Sequence, residues 1–243
     1  MIPQWLHFLM SLSIGSGLAS GLVLAFAVWR RPGKMAIMNW VWPLVGLFDG
    51  PLAIWLHRRH GAYAYGQAPF PLMVSVAACH CGAGCSLGDL IAESLILVAP
   101  PVLYWFGLAT LWNEPIFAGW TLDFVLAFLL GIAFQYFSIA PMRGLGPRDG
   151  IVAALKADTL SLVAWQAGMY GVMAIVQFGI GRTTADSVEF WFAMQVAMLA
   201  GFVVSYPVNW WLLKTGIKEK MKRTRLSLSA TARWPTRSPR SRR

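Results

Sequence analysis

The 243 residues are 57% hydrophobic and only 12% charged, with a mean hydropathy of +0.57 and a formal net charge of +10. That balance excludes an ordinary soluble domain and describes an integral membrane protein. The positive charge does not indicate nucleic-acid binding: eleven of the 20 Lys and Arg lie from Lys214 to Arg243, behind the last apolar segment, as a basic tail suited to anionic lipid.

Apolar runs long enough to cross a hydrocarbon core of ~30 Å, roughly 20 residues each, fall at 5–29, 36–56, 86–111, 119–141, 151–180 and 188–213. The first carries Ser13, Gly17 and Gly21 at four-residue spacing, a ridge that lets helices approach closely. Asn39, Pro43 and Asp49 mark the second, with a kink expected at Pro43. Residues 61–69 form a polar linker, and residues 70–85 are apolar but short and rich in Pro and Gly, a half-helix or re-entrant piece. The expected fold is all-α: a polytopic transmembrane bundle of about six spans, or seven if 70–85 crosses. Its parts are two N-terminal transmembrane helices in 1–60, a core membrane domain at 70–213 and a disordered basic tail at 214–243. No signal peptide is expected, because no basic n-region or cleavage site precedes Arg30. Arg143, Arg148 and the tail put the C-terminus in the cytoplasm. Six spans then put the N-terminus there too, with Arg30 and Arg31 on the wrong side.

The chemistry concentrates at Cys79-His80-Cys81-Gly82-Ala83-Gly84-Cys85, followed by Asp89 and Glu93. The two glycines suggest a Gly-broken turn at the start of the third long segment, where side chains converge. On a helix, Cys81, Cys85, Asp89 and Glu93 fall on one stripe, since each is four residues from the next. Thiolates and an imidazole suit a soft or borderline ion, which makes His80, Cys81, Cys85 and Cys79 the candidate metal ligands. Cu(I) is the favoured ion; zinc and iron stay open, as does haem, for which His80 and Met are potential axial ligands. Met169 and Met173, and Met194 and Met198, sit four apart on the last two spans, with Gln135, Gln195 and Met142 as further relay positions. Thioether is a neutral soft ligand that permits exchange. Charges within spans are costly, so Lys156 and Asp158 should find partners on other helices. Lys156 is expected to pair with Asp89 or Glu93, and Asp158 to meet Gln135, Asn209 or Arg143. Those four charged residues would orient the ligands or take up released protons.

The stretch His80-Cys-Gly-Ala-Gly-Cys-x-Leu-Gly-Asp89-x-Ile-Ala-Glu93 resembles the signature of a bacterial membrane family known as domain of unknown function 4396. The likeness continues through Gly131–Gly144, Ala154–Leu162, Trp191–Met198 and Tyr206–Trp211, and Cys79 is extra to the pattern. The family supplies no activity. The expected function is therefore drawn from the residues: binding of a thiophilic metal ion, with transport or delivery at the bacterial inner membrane. A thiol oxidoreductase using Cys81 and Cys85, or a non-catalytic accessory subunit, are the alternatives. No hydrolase elbow, Walker loop or dinucleotide glycine pattern is present.

Overall fold

A computed structural model describes residues 3–33, 35–62, 68–105 and 114–218, without the side chains of Ala62 and Met142. Among the described residues all regular structure is helical: α1 (Gln4–Arg30), α2 (Met38–Asp49), α3 (Pro51–Ala62), α4 (Phe70–Val98), the single turn α5 (Val102–Trp105), α6 (Pro115–Arg143), α7 (Pro147–Ala174) and α8 (Val188–Thr215). A π-helical stretch, Ile175–Ile180, extends α7. The expected basic tail lies outside the described residues from 219 onward, as do 63–67 of the polar linker and 106–111 of the third apolar run.

Local chemistry sets the ends. Proline occupies the first turn of α4, α6 and α7, where its missing N–H is harmless. Pro100 and Pro101 follow the end of α4. Ser187 caps α8 by accepting from the Phe190 N–H at 3.2 Å. Gly144 (φ 63°) and Gly216 (φ 78°) supply the left-handed residues that terminate α6 and α8.

Among the described residues five helices are long and apolar enough to cross a membrane: α1, α4, α6, α7 with its π-helical end, and α8. Their outer faces carry large apolar side chains such as Leu22, Trp29, Phe137 and Val203. This is a multi-pass membrane protein with a helical-bundle fold. The expected second span, 36–56, is instead a hairpin of two 12-residue helices, each roughly 18 Å long and too short to cross. The chain turns at Gly50 (φ 56°), a conformation that favours glycine, and Pro51 opens α3. α2 descends against α1, with Gly46 on Gly21, and the tip at Gly50 lies beside Ser16, midway along α1. α3 then returns, bringing His57 and His60 to within 4.9 and 5.7 Å of the Trp42 ring on α2.

This re-entrant hairpin changes the topology. His7 bonds Glu189 at 2.9 Å and Ser13 bonds Gln195 at 2.8 Å, so α1 runs parallel to α8. With five crossings the two described ends of the chain lie at opposite ends of the bundle, and the six-span arrangement is corrected. Arg30, Arg31, Arg58, Arg59, Arg143, Arg148, Lys214 and Lys218 then share one end. The misplaced arginines of the six-span reading are no longer misplaced. Helix ends at membrane depth need partners for their orphan carbonyls. Gln195 of α8 provides one: its Nε2 donates to Leu47 O, in the last turn of α2, at 3.0 Å.

Candidate functional site

The expected Gly-broken turn is absent: α4 runs unbroken from Phe70 to Val98 through Gly82 and Gly84. The glycines serve contact instead. A Cβ on Gly82 would meet the Trp165 ring at 2.2 Å, one on Gly84 would meet Gly131 Cα at 2.5 Å, and one on Gly88 the Ala127 backbone at 2.4 Å. They let α4 press directly on α6 and α7. In a helix, successive side chains diverge by about 100°, so Cys79, His80 and Cys81 leave in three directions.

Cys79 joins the cluster between α4 and the α2–α3 hairpin, with Val41, Val45 and Val76. Cys81 and Cys85 enter a different cluster, the largest in the core, together with Met169, Met173, Met194 and Met198. Two thiols and four thioethers from three helices thus belong to one buried cluster. Ser86 donates to Met198 Sδ at 3.7 Å, tying α4 to α8 at this level. Trp165 and Phe190 close it off. All three cysteines are free thiols. One helical turn separates the Cβ atoms of Cys81 and Cys85 by about 5–6 Å, whereas a disulfide needs about 3.5–4.5 Å. The intact helix therefore opposes the dithiol chemistry of an oxidoreductase.

His80 faces the basic end. Its ring lies 6.4 Å from that of Phe134 and beside the Phe134 backbone, within the fields of Asp158 and Lys218, and neither ring nitrogen closes a hydrogen bond of normal geometry. Lys218 Nζ donates to Asp158 Oδ1 at 2.8 Å, to Asn209 Oδ1 at 2.9 Å and to Ala77 O at 3.4 Å. Asn209 donates to Ser161 Oγ at 2.6 Å. The ion pair is almost dry, with side chains 4% and 0% exposed. Gln135 is buried with Oε1 unpartnered, and Asp158 does not bond it. Asp158 reaches the expected Asn209 only through their shared lysine. The cation of this centre is Lys218 and not Lys156. Lys156 is exposed on α7 and makes no ion pair among the described residues, which overturns its expected bridge to Asp89 or Glu93. By sequence alone Lys218 belongs to the basic tail at 214–243. The signal that could have found it is Gly216, which ends α8 and turns the chain back so that the Lys218 N–H reaches Leu212 O at 3.0 Å.

Toward the other end, Asp89 and Asp123 are buried on α4 and α6, and Glu93 is half-buried one turn beyond Asp89. Asp123, 1% exposed, lies in the fields of both Asp89 and Glu93. Gln166 and Tyr170 of α7 complete this centre, the Tyr170 hydroxyl donating to Trp120 O at 2.9 Å. Gln195, expected as a relay position, holds Ser13 and Leu47. The Met142 side chain lies outside the described residues. Among the described residues no three His, Cys, Asp or Glu side chains converge as a metal-holding group. A soft ion here would have to draw on thioethers as well as thiols.

No curated protein and no solved structure matches the chain. A family model does, across residues 72–218, a span that begins near the start of α4 and ends on the buried Lys218. The polar and sulfur centres described above all fall within it, and the chain belongs to the family described as Domain of unknown function (DUF4396).

Proposed function

We propose that this protein binds a thiophilic metal ion, Cu(I) by preference, in the sulfur cluster of the α4–α7–α8 core and moves or delivers it at the membrane. One observation carries the reading: Cys81 and Cys85 share a buried cluster with Met169, Met173, Met194 and Met198. Thiolate with thioether is a donor set that selects Cu(I) over hard ions, and neutral thioethers permit exchange along a path. Deprotonation of the thiols on binding would release protons, for which the carboxylates one and two turns along α4 are acceptors. His80 stands apart from the sulfurs, beside Asp158 and Lys218, and on this reading it tunes the basic end of the path. The protein sits in the bacterial plasma membrane with its basic end cytoplasmic, the tail resting on anionic lipid.

Elemental analysis of protein purified in mild detergent, after anaerobic loading with Cu(I), tests the proposal. Wild type should retain copper through gel filtration, and a Cys81→Ser/Cys85→Ser variant should lose it. Equal, near-zero copper in both would remove the reading.

A further inference from the structure

Five side-chain oxygens at the end opposite Lys218 are buried without a hydrogen-bond partner: both of Asp89, both of Asp123 and Oε1 of Gln166. Each residue is 1% exposed, and the three stand on α4, α6 and α7. The Gln166 amide is directed at Asp89 but closes no hydrogen bond of normal geometry with it, and Asp123 lies in the field of Asp89. The orientation of the Gln166 amide is fixed by chemistry. Tyr170 has one hydroxyl proton, which it donates to Trp120 O at 2.9 Å, so its oxygen can only accept from Gln166 Nε2, at 3.4 Å. That leaves Gln166 Oε1 an acceptor with no donor. With both aspartates ionised, every orphan in the centre is an acceptor, and the buried Lys218 is engaged with Asp158 at the far end. Acceptors alone, two of them carboxylates, call for a positive guest.

We propose that Asp89, Asp123 and Gln166 form a binding site for a hard, oxygen-seeking metal cation of the sodium or calcium kind, separate from the sulfur cluster. Carboxylate and amide oxygens are the ligands such ions prefer, while soft ions prefer the sulfurs one turn away. Half-buried Glu93 stands one turn beyond Asp89 on α4, and the adjoining end of the bundle carries Glu114, Asp186 and Glu189. The site does not depend on the copper reading.

The test is thermal unfolding of the detergent-purified protein at fixed pH and ionic strength. Sodium, potassium, magnesium or calcium replaces an organic cation in turn, and a pH series is run in the organic cation alone. At least one metal ion should raise the unfolding temperature saturably. Asp123→Asn and Gln166→Leu should weaken its apparent affinity about tenfold or more. Cys81→Ser/Cys85→Ser should leave the response intact, so failure here and failure of copper binding are read separately. A response to pH but to no metal ion, or a metal response undiminished in both variants, overturns the site. If the variants are not monodisperse, direct binding of radioactive sodium and calcium to the wild type decides, and binding of neither overturns it.

Discussion

Replacing Lys218 with Met removes the cation that Asp158 and Asn209 share at the basic end of the bundle. Its ammonium makes bonds of 2.8, 2.9 and 3.4 Å, and the Asp158 side chain has no exposure to solvent. Asp158 Oδ2 is already unpartnered, so the substitution leaves the whole carboxylate unpaired in a dry interior. Removing one partner of a buried pair costs about 3–5 kcal/mol, against about 0–1 kcal/mol for an exposed one. Two to three and a half powers of ten in the unfolding equilibrium are therefore at stake, at about 1.4 kcal/mol per power. The double variant Lys218→Met/Asp158→Asn should recover much of the loss, because a neutral amide tolerates the site better than a lone charge. Reversible unfolding in mixed micelles, followed by tryptophan fluorescence, measures both. A single-variant cost below about 1 kcal/mol, or strict additivity in the double variant, would refute the reasoning.

Further outcomes follow from the packing. Lys156→Met should change stability by less than about 0.5 kcal/mol in the same unfolding assay, as an exposed and unpaired side chain. Gly84→Ala and Gly88→Ala, where a Cβ would fall 2.5 and 2.4 Å from backbone of α6, should each cost about 1–3 kcal/mol. Gly171→Ala, with nothing within 4 Å, should be neutral or stabilising by up to about 1 kcal/mol, and thermal unfolding separates the two classes. Gln195→Leu should cost about 1–3 kcal/mol by stranding Leu47 O, and limited proteolysis should show the α2–α3 hairpin cut first. Single cysteines at Arg31, Arg148 and Lys214, in a background lacking the native three, should label from one face of the membrane and a cysteine at Arg182 from the other.

Long apolar runs declared four of the crossings to within four residues at each end: 5–29, 119–141, 151–180 and 188–213 were expected where α1, α6, α7 with its π-helical end, and α8 stand. Hydropathy sums failed at 36–56 because they register apolar content and not the break at Gly50–Pro51, which folds 24 helical residues into two short legs. Gly82 and Gly84 read as a turn because their conformational freedom is visible in sequence, while the neighbour that fills the missing side-chain volume is not. Trp165 and Gly131 lie on helices made far later in the chain. The stripe Cys81–Cys85–Asp89–Glu93 was legible from four-residue spacing alone, and so was the pairing of methionines. The partner of Asp158 was not, since Lys218 stands outside the last apolar run and reads like any other lysine of the basic stretch that follows it.

The bond from Gln195 to Leu47 O has a consequence for biogenesis. The hairpin leaves the ribosome early, yet the group that caps its inner end belongs to α8, the last of the described helices to be synthesised. Until α8 arrives, the nascent chain holds an exposed helix end that lipid cannot solvate. The N-terminal third therefore cannot mature on its own schedule. Its completion reports that α8 has been inserted, and a chain arrested before α8 keeps an unfinished membrane segment.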